Sequence, residues 1–359
     1  MNILFTFFVP SGGVETLNRQ RFYALSKYGV HCHFLYTQPG TGLQNKIDAT
    51  IFVMNDYDEI LRIVWQGNYD AVVICSDVQL LQLVKKSGYP GIIIYDNQGL
   101  GFNKEYAAYY LKNHVLDIIN DNCDGIMYPK TPHLIDAFQT IFPHKKQFYF
   151  DNCFHTGEFN YRKMPPSSHP IIGWVGRLEE NKNWRDYLSI GAQLVNWNSK
   201  IQLWMFEDNQ LGDPNERIAF NQMVDELNLR SSLTVYANQP HSKMAEYFSM
   251  IGDSGGFLCS TSRVESFGYA VLEALVCRSP VLSTDSDGVR SFIKHNVTGK
   301  FFEFGNIDEA VGEAIELMTN LALRENLRNN GARHIETTFS PDLYAANFMT
   351  MIRCLQKQI

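Results

Sequence analysis

The feature that most constrains this chain is a rhythm. Strand-sized runs of β-branched and aromatic residues alternate with longer stretches of helical periodicity. Ile3 to Phe8, His33 to Tyr36, Ala71 to Cys75, Ile92 to Tyr95 and Gly125 to Tyr128 form a first series, separated by segments such as Val14 to Tyr28. Such alternation predicts βαβ units and a parallel sheet, because a parallel strand needs a crossover long enough to bring the chain back. The rhythm breaks between Tyr161 and Pro170, where Pro165, Pro166 and Pro170 forbid regular structure. It restarts with Ile171 to Val175, Gln202 to Phe206, Leu233 to Tyr236, Gly256 to Leu258 and Pro280 to Thr284. The expected architecture is α/β, with two doubly wound Rossmann-like domains over 1–160 and 171–340. A linker spans 161–170, and a last amphipathic segment occupies 341–359.

Composition narrows the function classes. With 45% hydrophobic and 19% charged residues the chain is an ordinary globular one, and a net charge of −7 gives no general attraction to nucleic acid or anionic membranes. No apolar run approaches the ~18 residues that span a bilayer. The apolar N-terminus, Met1 to Val9, has no Lys or Arg before Arg19 and no small-residue cleavage site, so it reads as a buried first strand rather than a signal peptide. Seven scattered cysteines without a C-x-x-C pair argue against a disulfide framework and against a zinc site. A cytoplasmic location, free or peripheral to a membrane, is the expectation.

In α/β domains ligands bind at the carboxyl ends of strands, so the loops that follow strands carry the candidate chemistry. After the first strand come Gly12 and Gly13, which allow close backbone approach to a ligand at a helix N-terminus. The same glycines also suit a plain strand-to-helix turn. A dinucleotide fingerprint is missing, and the second strand ends Tyr36-Thr37-Gln38 without an acidic residue, so nicotinamide binding is disfavoured. The second half opens with Gly176-Arg177-Leu178-Glu179-Glu180-Asn181-Lys182, whose two cations flank a helix start and suit a diphosphate clamp or a solvated charge pair. The most specific stretch is Ser262-Arg263-Val264-Glu265-Ser266-Phe267-Gly268-Tyr269-Ala270-Val271-Leu272-Glu273-Ala274. It places Glu265 in a loop and Glu273 inside the following helix. Carboxylates so placed can accept hydrogen bonds from sugar hydroxyls while the N–H groups of the turn face phosphate oxygens.

That stretch resembles the signature of retaining glycosyltransferases of family four, the glycosyl transferases group 1, which have the GT-B fold. Its pattern, Ser-x-x-Glu-x-Phe-Gly-x4-Glu-Ala followed by Pro-Val, is met by Ser262, Glu265, Phe267, Gly268, Glu273, Ala274, Pro280 and Val281. The Gly12-Gly13 loop, the Asn152 to Phe159 segment, Gly176-Arg177 with Lys182, and Val297-Thr298-Gly299 agree in order. The resemblance implies a hexosyltransferase-type enzyme, with the acceptor bound by the first domain and a nucleotide-diphosphate sugar by the second, across an interdomain cleft. It implies that Arg177 and Lys182 neutralise the diphosphate, that Glu265 contacts the donor sugar, and that Glu273 holds the ribose. Gly12, Gly13, Ser266, Phe267 and Gly268 complete the expected donor site. No cofactor is expected beyond the nucleotide sugar, and no metal. The acceptor is a glycan, a lipid-linked group or a small molecule. The terminal segment is expected to pack on the first domain.

Departures from the family pattern are specific. Asn152-Cys153-Phe154-His155 stands where Asn-Gly-Val-Asp is usual, and Phe206 and Arg278 fall at or near positions where family members carry glycine. The strand that usually precedes a His-Asp pair ends Tyr95-Asp96-Asn97-Gln98, which leaves Asp96 as the acidic candidate for catalysis. Asp285-Ser286-Asp287 has the spacing of a manganese-binding motif but lies beyond the signature, and His31 and His33 share a strand face without a third ligand. A sugar-nucleotide epimerase or hydrolase of the same fold, and a non-catalytic nucleotide-sugar-binding subunit, are the alternatives.

Overall fold

A computed structural model describes residues 1–99, 104–157, 159–165 and 167–356, and the parts of the expected ranges at 100–103, 158, 166 and 357–359 lie outside the described residues. The chain divides into two units, Met1–His155 with Phe339–Ile359, and Thr156–Thr338.

The first unit holds β1 (Asn2–Phe7), β2 (His31–Tyr36), β3 (Ile51–Val53), β4 (Ala71–Cys75), β5 (Ile92–Asp96), β6 (Gly125–Tyr128) and β7 (Gln147–Tyr149). They form one parallel sheet in the order β3-β2-β1-β4-β5-β6-β7. Side chains alternate across it as the pleat requires: Leu4, Val72, Ile74 and Ile93 enter one core, and Ile3, Phe5, Val73, Ile92 and Ile94 the other. Both faces are buried, which is why these strands read as continuous apolar runs. The terminal helix Pro341–Gln356 contributes Tyr344, Phe348, Met351 and Ile352 to the second of these cores.

The second unit holds β8 (Ile171–Val175), β9 (Gln202–Glu207), β10 (Leu233–Ala237), β11 (Phe257–Ser260), β12 (Val281–Thr284) and β13 (Lys300–Phe302). Its order, β10-β9-β8-β11-β12-β13, repeats the doubly wound pattern in which the sheet reverses direction of growth between its first and fourth strands. The loops that leave β8 and β11 therefore emerge side by side at the topological switch point. They are the two loops that carry Arg177 with Lys182 and Glu265 with Gly268.

The expected boundary at 160 moves to 155 because Thr156 to Met164 is seated on the second unit. Tyr161 Oη donates to Asp253 Oδ2 at 3.0 Å, Met164 N to the same oxygen at 2.9 Å, and Arg162 N to Ser249 Oγ at 3.0 Å. The first part of the segment expected as a linker, 161–164, is thus irregular in backbone yet anchored along the helix His241–Asp253.

Candidate active site

The loop after β8 turns through Gly176, a short 3-10 segment at Glu180–Lys182, and Asn183, whose left-handed φ of 49° starts the helix Trp184–Trp197. The loop after β11 is tied to it at several points. Arg263 N donates to Asn181 O at 2.8 Å, Asn181 Nδ2 to Val264 O at 3.1 Å, and Val264 N to Asn181 Oδ1 at 3.2 Å. Behind them, the Thr261 hydroxyl accepts from Trp174 Nε1 at 3.1 Å and donates to Asn183 O at 2.9 Å. Each tie satisfies a polar group that the switch point would otherwise strand.

On this frame Lys182 Nζ meets Glu265 Oε1 at 2.5 Å, with both side chains about a fifth exposed. Glu265 is fixed through its backbone: its N–H donates to Ser286 O, and its carbonyl accepts from Gly288 N, both at 3.0 Å. That approach demands glycine at 288, since a Cβ there would stand 2.4 Å from the Glu265 carbonyl oxygen. Ser266 and the buried Phe267 lead into Gly268, whose φ of +90° redirects the chain into the helix Tyr269–Val276. Phe267 packs edge-on against Phe292, with ring centroids 4.9 Å apart. The N-terminus of that helix, the positive end of its dipole, thereby follows Glu265 directly and stands close in the chain to the Lys182–Glu265 pair.

Arg177 lies in the same loop but is more exposed, and it pairs with Glu179 at 3.2 Å. Glu273 sits inside the helix Tyr269–Val276 with a 7% exposed side chain, and His241 Nε2 lies 2.7 Å from its Oε1. The His241 ring lies over Phe159 with centroids 4.6 Å apart. Thr261 and His241 carried no sequence signal, because their partners are distant in the chain and no motif marks them, while Asn181 and Phe159 fell within motif stretches that gave no hint of these contacts.

Other expected positions take different roles. Asp285 and Asp287 both face Arg290, Asp285 at 2.6 Å and Asp287 at 3.3 Å, so their carboxylates already have a cation partner. Where glycine is usual, Arg278 adopts a φ of 56° and lays its guanidinium over Tyr161 at 5.1 Å. Phe206 stacks on Tyr236, with centroids 5.1 Å apart, in a cluster with Trp204 and Tyr247. His33 hydrogen-bonds Tyr69 Oη at 2.9 Å.

In the first unit, Gly12 and Gly13 open the helix Gly12–Ser26. Asp96, the acidic candidate, is fully enclosed. Arg21 Nη2 donates to its Oδ2 at 2.7 Å and Gln98 Nε2 to its Oδ1 at 2.6 Å, while Arg21 Nε donates to Tyr344 Oη at 2.8 Å. Burial works against the Arg21 charge, but Asp96 beside it carries the guanidinium pKa above its ordinary value. Both Asp96 oxygens are thus occupied, a geometry that suits it to joining β5, the first helix and the terminal helix rather than to taking a proton from a substrate. The departing segment Asn152-Cys153-Phe154-His155 belongs to the same network: Asn152 Nδ2 donates to Gln98 Oε1, and His155 N to Gln20 Oε1. Burial pushes the Cys153 thiol up to about 12, leaving it protonated and inert.

Comparison with known proteins agrees with this geometry. Residues 159–334, nearly the whole second unit, match the family model of the glycosyl transferases group 1. The chain is similar to the 2-deoxystreptamine N-acetyl-D-glucosaminyltransferase of Niallia circulans, 21% identical over half of this chain and 43% of that protein. It is also similar to the N-acetyl-alpha-D-glucosaminyl L-malate synthase of Bacillus anthracis, 25% identical over 51% of this chain and 45% of that protein. The matched segments therefore span less than half the length of these curated relatives. Among solved structures, Anabaena HepE in complex with UDP-glucose superposes with a TM-score of 0.81 at 14% identity, covering 98% of this chain and 100% of that one. Fold, switch-point loops and signature converge on one assignment: the chain has the GT-B fold, and its residues 159–334 are a glycosyl transferases group 1 segment.

Proposed function

We propose that the protein transfers a sugar from a nucleotide-diphosphate sugar to an acceptor hydroxyl with retention of anomeric configuration and without a metal ion. The observation that carries this reading is the Lys182–Glu265 pair at the switch point, beside the N-terminus of the helix Tyr269–Val276. Electrostatic stabilisation of the leaving group is the main task in such a reaction. Lys182 exchanges Glu265 for a diphosphate oxygen when donor binds, Arg177 swings from Glu179 to a second one, and the N–H groups at Ser266-Phe267-Gly268 take others. Glu265, released from its cation, accepts from the donor sugar hydroxyls, and Glu273 accepts from the ribose. The pairing of Asp285 and Asp287 with Arg290 supports charge neutralisation by side chains rather than by a divalent ion.

Retention draws support from the enclosure of Asp96. An inverting route needs a base with a pKa near working pH facing the acceptor, and Asp96 is held by Arg21 and Gln98. In the front-face route the C1–O bond to the diphosphate breaks as the acceptor oxygen bonds C1 on the same face, and the acceptor proton passes to the departing phosphate oxygen. The names of the relatives, which specify N-acetylglucosaminyl transfer and an alpha-D product, support the same class. The acceptor is a glycan, lipid-linked group or small molecule. No helix among the described residues is long and apolar enough to cross a membrane, and the six buried cysteines and Cys354 are free thiols, which supports a reducing cytoplasmic setting.

Mass spectrometry of ligands retained from cell extract, followed by a donor-hydrolysis screen over uridine, guanosine, adenosine and cytidine diphosphate sugars, tests the reading. Release of free nucleoside diphosphate that depends on Lys182 is the expected result. Failure of every donor to bind would remove the proposal.

A further inference from the structure

We propose that His241 is a positioning residue that presents the Glu273 carboxylate to the donor ribose, a role that rests on the nucleotide-sugar reading above. Glu273 is a buried carboxylate, and such a group is kept in place by hydrogen bonds. Among the described residues the hydrogen bond to its side chain comes from His241 Nε2, 2.7 Å from Oε1. A carboxylate only accepts, so the proton lies on Nε2, which fixes that nitrogen as the donor.

The imidazole is itself constrained. It lies on the ring of Phe159, with centroids 4.6 Å apart and planes 29° apart. Phe159 is 6% exposed and packs on Phe248 of the same helix that begins with His241. Turning the imidazole away from Glu273 therefore means breaking the ring stack. Phe159 belongs to the anchored segment whose neighbours hold Asp253 and Ser249, so the platform under the histidine is tied to the C-terminal half of the helix that His241 begins. A carboxylate offers about four acceptor positions. His241 takes one, and the remainder suit a vicinal diol, whose two hydroxyls a carboxylate accepts side by side. The ligand feature recognised is thus the 2′,3′-diol of a ribonucleotide, independent of its base and of the sugar carried.

The test measures binding of UDP, GDP, ADP and CDP by calorimetry, and then of the 2′,3′-dideoxy form of whichever binds. The proteins are wild type, His241→Phe, which keeps an aromatic ring on Phe159, and His241→Gln, whose amide nitrogen reaches about as far as Nε2. In the wild type the ribonucleotide binds about tenfold more tightly than its dideoxy form, the effect of charge-assisted hydrogen bonds. In His241→Phe that ratio falls to about one to two, and KM for the donor sugar rises while kcat at saturation stays within about threefold. His241→Gln restores the ratio. If His241→Phe does not fold, His241→Asn, too short to reach Oε1, takes its place and must lose the ratio that His241→Gln keeps. A wild-type ratio in both His241→Phe and His241→Asn overturns the role of His241 and leaves the nucleotide reading standing. Failure of the wild type to bind any of the four nucleotides overturns both.

Discussion

Replacing Lys182 by alanine removes the cation nearest to both Glu265 and the expected diphosphate. The two effects have different magnitudes. The ion pair is short but about a fifth exposed on each side, so it falls between surface pairs, at about 0–1 kcal/mol, and fully buried ones, whose disruption costs about 3–5 kcal/mol. A stability loss of about 1–2 kcal/mol follows, which lowers the melting temperature by roughly 2–8 °C in a unit of this size. In the transition state, loss of one charge-assisted contact to the leaving group costs about 3 kcal/mol, or a roughly 150-fold fall in kcat/KM. Release of nucleoside diphosphate, followed in a coupled assay with circular dichroism melts alongside, separates the two. The double variant Lys182→Ala with Glu265→Gln makes the argument sharper. If Lys182 serves only to neutralise Glu265, the double variant equals Glu265→Gln alone. If it holds the diphosphate, the double variant is a further ten- to hundredfold slower. Wild-type turnover in Lys182→Ala, or a double variant indistinguishable from Glu265→Gln, refutes the diphosphate role.

Three other perturbations follow from the same geometry. Activity survives exhaustive chelation, and Asp285→Asn leaves the metal response unchanged because that carboxylate holds Arg290; an EDTA-treated enzyme revived by Mn²⁺ but not by Na⁺ would contradict this. Arg21→Met strands Asp96 as an unpaired buried charge and destabilises the first unit by about 3–5 kcal/mol, read by denaturant melts, whereas Arg21→Met with Asp96→Leu recovers most of the loss; equal stability of the two variants would show that the pair is not what holds Asp96. Proton NMR of the product formed early from an α-linked donor shows an α-anomeric coupling, and a β coupling would return the mechanism to inversion.

What the residues announced by themselves was the layered architecture. Runs such as Ala71 to Cys75 and Ile171 to Val175 are buried on both sheet faces, so local composition alone marks them as strands. The three strands absent from that reading, β3, β7 and β13, are three residues long and too short to show a period. The signature from Ser262 to Ala274 was legible for a similar reason: its loop glycine and the helix behind it are contiguous in the chain.

The pairings were not legible, because they depend on which strands become neighbours. Lys182 and Glu265 are 83 residues apart, and they touch because β8 and β11 pair at the switch point and send their loops out together. Asp96 looked like a base because sequence shows an acid at a strand end but not what covers it. Tertiary packing placed Arg21 on one of its oxygens, Gln98 on the other, and Tyr344 on the arginine. His241 likewise became a candidate only when a helix from after β10 came to rest against Glu273. Periodicity is a property of neighbours along the chain and is written locally. Burial and charge pairing are properties of neighbours in space, and the order of strands in the sheet decides them.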